Sequence, residues 1–185
     1  MVETTINDAK DRMEKTVINS QTELSRMRTG RASLSMLDPI KVDYYGAMSP
    51  LNQVANISIP EPRLINIQPW DKSMLQAIDR AIQQADIGIT PQNDGNIIRL
   101  PIPSLTEDRR KELVKVIHSM AEEARVAIRN IRRDALDTLK KAQKDSNISE
   151  DEEYNAGIDM QEITDTYIKK IDEVAKAKEI EIMEV

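Results

Sequence analysis

The chain has 185 residues, 39% hydrophobic and 31% charged, with a formal net charge of −6. It has no cysteine, which excludes disulfides, thiolate nucleophiles, cysteine zinc sites and iron–sulfur clusters. No apolar run approaches the roughly 18–20 residues of a membrane span, and Met1-Val2-Glu3-Thr4 lacks the basic and apolar regions of a secretory signal. The expectation is a cytoplasmic protein, either bacterial or a mature organellar one, with no membrane partner.

Residues 2–29 are expected as a first helix. Val2, Ile6, Ala9, Met13, Val17, Ser20, Leu24 and Met27 recur at spacings of three and four, on one face. Thr29-Gly30 is the expected stop, because glycine takes the left-handed conformation at little cost.

Between this helix and the next long one the pattern changes. All eight prolines fall within 39–103. Ile40–Tyr45 alternates and ends at Gly46, and 54–59 and 64–67 flank the turn Pro60-Glu-Pro-Arg63 as in a hairpin. Asp71 can cap a short helix with the stripe Met74/Leu75, Ile78, Ile82 and Ala85, and Asn93-Asp94-Gly95 turns into a last strand at 96–100. The stretch holds Trp70, Tyr44 and Tyr45, which the core and the Asp71 cap account for. It reads as a compact α+β unit, near the smallest size that keeps a core of its own.

Residues 105–145 form the second helix, with Thr106 as cap and the stripe Leu113, Ile117, Met120, Ala124, Ala127/Ile128, Ile131, Ala135, Leu139 and Ala142. A third follows from the capping box Ser149-x-x-Glu152, with the stripe Met160, Ile163, Tyr167, Ile171, Val174 and Ala175, and runs to near 183. The link Ser146-Asn147-Ile148 is short, so these two helices must be antiparallel neighbours.

The expected division is a discontinuous three-helix bundle, 1–30 with 105–185, and an inserted domain, 31–104. Two crossings join them, at 30–35 and 101–105. Gly30, Arg31, Ala32, Ser33, Pro101, Pro103 and Ser104 are the candidate hinge residues, although local sequence reads equally as two rigid turns. With about 28 residues, the first helix should end alongside residue 135 of the second, which leaves a two-helix tip beyond.

Chemistry is sparse. His118 is the only histidine and has no orienting partner or nucleophile in view. Asp145-x-Asn147-x-Ser149-x-Asp151 opens like a calcium loop, but Glu150 and Ala156 stand where that loop needs glycine and glutamate. No glycine-rich phosphate loop is present. The expectation is a binding protein, not an enzyme, with no cofactor and no metal.

Charge carries the positive signal. Residues 124–144 hold seven cations, Arg125, Arg129, Arg132, Arg133, Lys140, Lys141 and Lys144, against Asp134 and Asp137. At 100° per residue Arg125, Arg129 and Arg132 share one face, with Arg133 at its edge. A solvated face and a phosphate-binding face both stay open. Arginine grips phosphate bidentately, and few carboxylates appear nearby on the same helix. If phosphate is the target, shaped RNA is favoured over DNA, because no base-reading motif is present. Two rival readings are a helical adaptor that grips proteins with its tip and a cofactor-free enzyme around Trp70-Asp71 and Tyr44-Tyr45.

Several motifs resemble those of the ribosome recycling factor family. They are Arg28-Thr-Gly-Arg-Ala-Ser33, Leu37-Asp-x-Ile-x-Val-x-Tyr-Tyr-Gly46, Gln68-Pro-Trp-Asp71, Asp94-Gly-x-x-Ile-Arg-Leu-Pro-x-Pro103, Leu105-Thr-Glu-x-Arg-Arg-Lys111 and Arg125-x-x-x-Arg-Asn-x-Arg-Arg-Asp134. They stand in the family's order and at its spacing. The resemblance implies a three-helix bundle and a β/α/β domain in an L-shaped, tRNA-like outline, joined by a mobile double linker. It implies a monomer that binds the post-termination ribosome and, with elongation factor G and GTP, splits it into subunits. It further implies contact with large-subunit ribosomal RNA through Arg129 and Arg132, with Arg28, Arg31, Arg125 and Arg133 as neighbours. The small domain would face elongation factor G and the small-subunit side.

Overall fold

A computed structural model describes residues 1–184. The chain divides into two compact units, Met1–Met27 with Asp108–Glu184, and Arg28–Glu107.

The first unit is made of α1 (Val2–Ser25), α3 (Glu107–Lys144, whose first residue falls in the other unit) and α4 (Glu150–Met183). The apolar stripes meet as their spacing requires. Ala9, Met13, Val17 and Leu24 of α1 are buried, with Ile117, Ile128 and Leu139 of α3 and Met160, Ile171 and Ile182 of α4. Burying one such large side chain contributes about 1.5–3 kcal/mol. Thr164 is fully buried among them, and its hydroxyl donates to the Met160 carbonyl at 2.6 Å, so this side chain is satisfied within its own helix. No helix among the described residues is long and apolar enough to cross a membrane.

The link between α3 and α4 is built locally. Ser146 adopts φ +58°, and the amides of Ser146 and Asn147 donate back to the carbonyls of Gln143 and Ala142, each at 2.9 Å. This is the Schellman closure, with serine in the place that glycine usually takes. Ser149 then caps α4: its Oγ accepts from the Glu152 amide at 3.2 Å, and the Glu152 carboxylate accepts from the Ser149 amide at 2.7 Å. Contacts between the two helices run in opposite directions, Arg125 to Asp172 and His118 to Glu179, so they are antiparallel as the short link demands.

Two expectations for α1 need correction. It ends at Ser25, not residue 29, because Ser25 Oγ takes the Thr22 carbonyl at 2.7 Å and the last turn tightens, with Met27 N–H on the Leu24 carbonyl. The two-helix tip beyond residue 135 is also absent. Arg12, ten residues into α1, contacts Asp134 at 2.8 Å. Helix continues on both sides of that contact, so α1 covers α3 for about 15 Å past residue 134 whichever way it runs.

In the second unit, β1 (Lys41–Tyr44) and β2 (Ala47–Pro50) pair as a hairpin. Tyr45 and Gly46 both have positive φ, and Gly46 N–H donates to Asp43 Oδ1 at 2.8 Å, the two-residue turn that suits strand twist. A four-stranded antiparallel sheet follows in the order β3-β4-β6-β5, from Ala55–Glu61, Leu64–Pro69, Ile98–Pro101 and Gln92–Asn93. Ile67 stands opposite Ile57 and Ile98 in the ladder. The helix α2 (Leu75–Gln84) follows a 3-10 turn capped by Asp71, which accepts from the Ser73 amide at 2.9 Å. Ile78 and Ile82 of α2 join Ile65, Ile67, Ile98 and Leu100 in one buried cluster.

Four residues given to this core lie outside it, among them Tyr44 and Tyr45, which sit exposed at the β1–β2 turn. Ala85 is exposed at the end of α2. Trp70 is 62% exposed, its indole N–H on Asn56 Oδ1 at 3.1 Å. It follows the last residue of β4, where the strand's alternation no longer governs which way a side chain points.

Candidate nucleic-acid interface

Arg125, Arg129, Arg132 and Arg133 lie on α3 without a break in the helix, and α4 supplies partners for two of them. Arg125 is largely covered, its side chain 26% exposed. Its Nε donates to Glu122 Oε2 at 2.9 Å and its Nη1 to Asp172 Oδ1 at 2.6 Å. Arg129 Nη2 reaches the other oxygen of the same glutamate, Oε1, at 2.5 Å. Arg125 and then Arg129 hold the Glu122 carboxyl below its ordinary value, while Glu122 and, more weakly, Asp172 raise Arg125 against a modest opposing burial.

This arrangement corrects the view of the face as little neutralised. Glu122 lies one turn before Arg125 on the same helix, and Asp172 comes from α4. Two guanidinium charges meet two carboxylates, and at contact distance that cancels most of the local field.

Arg132 is treated differently. Its Nη1 donates to Gln161 Oε1, a neutral acceptor on α4, and Gln161 Nε2 donates in turn to Asp165 Oδ1 at 2.8 Å. Arg133 is exposed, and the neighbouring Asp134 is engaged by Arg12. Among the described residues no carboxylate forms an ion pair with Arg132 or Arg133. The unspent positive charge of the face therefore sits there, one turn beyond the neutralised pair.

Arg28 and Arg31 belong to the other unit. They line a cavity of about 160 Å³ with Gly30, Met36, Ile87, Ile102 and Leu105 among its walls. The Arg28 guanidinium lies close over Gly88, where a Cβ would stand 3.1 Å from its Nη1. Gly30 has φ +76°, and a Cβ there would stand 3.1 Å from Leu105 Cγ, so shape as well as conformation demands glycine.

Of the crossing residues, Ala32 N–H donates to the Pro62 carbonyl at 2.7 Å and Ile102 N–H to the Arg63 carbonyl at 2.8 Å. Ser33 Oγ caps the 3-10 turn Leu34–Leu37. Both crossings are thus tied to the β3–β4 turn at one point each.

His118 faces Glu179 at 3.2 Å on the surface. Tyr45 OH donates to Asp71 Oδ2 at 2.8 Å, which raises the Tyr45 phenol; the Ser73 side-chain and backbone hydrogen bonds, with Tyr45 third, lower the Asp71 carboxyl. These contacts leave Asp71 occupied by its cap.

The residues that the sequence did not yield are Glu122, Asp172, Gln161 and Asp165. Glu122 was readable, since i and i+3 meet on a helix. The three on α4 could have been found by folding the sequence back about Ser146–Ile148, which sets 125 near 172 and 132 near 161.

The fold and the face together define a class: a two-unit, helix-and-sheet protein that carries a row of arginines along one long helix. The chain belongs to the ribosome recycling factor family of translation factors, whose model matches residues 20–183. It is 53% identical to the ribosome-recycling factor of Desulforapulum autotrophicum over 185 residues, the whole of both chains. It is 56% identical to that of Halalkalibacterium halodurans over 180 residues, 97% of each. A solution structure of the ribosome recycling factor matches with a TM-score of 0.78 at 41% identity, covering 100% of this chain and 98% of that one. The Thermus thermophilus factor, described with Escherichia coli elongation factor G on the E. coli post-termination complex, matches with a TM-score of 0.65 at 45% identity, over 98% of each chain.

Proposed function

We propose that this chain recycles ribosomes: it binds the post-termination ribosome and, with elongation factor G and GTP, promotes its separation into reusable subunits. The observation that carries this reading is the family match over nearly the whole chain, including both units. The work is mechanical, so the energy comes from the partner's GTP and the chain itself acts as a cytoplasmic, monomeric non-enzyme.

The proposed contact is with large-subunit ribosomal RNA through Arg129, Arg132 and Arg133, with Arg125, Arg28 and Arg31 supporting. Arg132 and Arg133 are favoured because their charge is not cancelled within the chain. Phosphate contacts of this kind position a protein on RNA without reading sequence. Movement between the units is proposed at the two crossings, about Gly30, Arg31, Pro103 and Ser104. Ala32, Ser33 and Pro101 lie at or inside the points where the crossings are bonded to the β3–β4 turn.

Light scattering of post-termination ribosomes provides the test. Subunit release is expected only when the chain, elongation factor G and GTP are all present. Release without the chain at the same rate, or none with all three, contradicts the proposal.

A further inference from the structure

The arginines of α3 are held in two chemically distinct ways. Arg125 and Arg129 share a carboxylate, whereas Arg132 is held by the amide of Gln161. We infer that Gln161, itself oriented by Asp165, is a positioning residue that fixes the Arg132 guanidinium for phosphate while leaving its charge intact. The inference rests on the proposed RNA contact of Arg132.

The geometry assigns each atom a role. Asp165 Oδ1 can only accept, so it takes an N–H from Gln161 Nε2. That fixes the orientation of the amide and turns Oε1 toward Arg132, where it accepts from Nη1. Arginine has five N–H donors in a planar fork. With one spent on Gln161, the others stay available in a plane that no longer rotates freely. A free arginine side chain loses much rotamer entropy when it is fixed, and ordering it before the phosphate arrives removes part of that cost from binding. A glutamate in the place of Gln161 would order the guanidinium equally well but cancel its charge. The amide is the group that does the first without the second.

Asp165 lies one turn along α4 from Gln161, and the link from α4 to Arg132 runs across the same antiparallel register as Asp172 to Arg125. The two tethers come from one helix surface. One ends in a carboxylate and leaves a charged, part-covered arginine whose field is offset by its partners; the other ends in an amide and leaves an ordered arginine whose field is not.

The test measures binding to vacant large ribosomal subunits as salt rises, for the unchanged protein, Arg132→Ala, Gln161→Ala and Gln161→Glu, with helix content checked by circular dichroism. Arg132→Ala should weaken binding and flatten the log–log salt slope by about 0.7. Gln161→Ala should weaken binding about threefold to tenfold, the factor one hydrogen bond is worth, with the slope nearly kept because Arg132 stays charged. Gln161→Glu should weaken it at least as much and flatten the slope toward that of Arg132→Ala. A purely structural role for Gln161 would leave Gln161→Glu, which keeps an acceptor for Arg132, binding normally. If Arg132→Ala weakens binding while both Gln161 variants bind as the unchanged protein does, the inference is overturned and the RNA contact stands. If Arg132→Ala itself binds normally, the contact and the inference fall together.

Discussion

The two units achieve stability by different routes, and the difference separates structure from function. The small unit, Arg28–Glu107, draws side chains from its strands, α2 and 3-10 turns into one buried cluster, mostly Ile, Leu and Val. Its turns are fixed by side chains: Asp43 at Gly46, Asp71 at Ser73, and Asp94 at Asn96 and Ile97. The helical unit buries one stripe per helix and leaves most of each surface in water. On such a surface, salt-linked side chains add little to stability. They are free to be arranged for something else, and on α3 and α4 they are arranged around arginines.

That contrast sets how each unit should respond to perturbation. The largest effect belongs to the small unit's core. Ile98 is wholly buried and faces Ile67 across the ladder, so Ile98→Ala should cost about 2–5 kcal/mol. Hydrogen exchange should show amides of 41–101 losing protection while those of α3 and α4 keep theirs. Equal loss in both units would mean that they unfold as one.

A smaller effect, of opposite sign, is expected in α4. Gly157 lies within the helix, and a Cβ there would meet only Leu136 Cδ2, at 4.0 Å. Gly157→Ala should stabilise the helical unit by about 0.5–1 kcal/mol. Thermal unfolding followed by circular dichroism should show a raised midpoint.

The smallest effect is a pH dependence confined to one turn. The amides of Ile97 and Asn96, and then Arg99, pull the Asp94 carboxyl down to about 2. A lowered folded value means that the contribution is full above the ordinary carboxylate value of about 3.9 and is lost as pH falls from there through about 2. Amide shifts of Asn96 and Ile97 should follow that window, and Asp94→Asn should abolish the change. A midpoint near 4 would mean that the turn does not hold the carboxylate.

The sequence was legible where one physical rule decides the outcome. Three- and four-residue spacing located α3 and α4 to within two residues, and the Ser149 capping box formed with both of its bonds. Asp71 was recognisable as a cap for the same reason. Legibility failed where two rules compete or where the partner is distant in the chain. Gly46 reads as a strand end, because the other residue of its turn is Tyr45, a residue type with no preference for positive φ. The end of α1 was misplaced because side-chain hydroxyls at Thr22 and Ser25 contest the helical carbonyls. The extent of α1 against α3 hung on Arg12 and Asp134, 122 residues apart. Among the arginines, position on a common face was readable from the helical angle. Which of them has its charge offset by a carboxylate was not, because Asp172 and Gln161 lie on another helix.

In the proposed function this face of α3 grips RNA phosphate, and its working charge lies in Arg132 and Arg133 rather than in Arg125. The direct test is the salt dependence of binding to vacant large ribosomal subunits by Arg132→Ala/Arg133→Ala beside Arg125→Ala. The double variant should flatten the log–log slope by about 0.7 for each phosphate it no longer neutralises, and Arg125→Ala should leave the slope nearly unchanged. A double variant that folds normally and keeps the full slope would contradict the account.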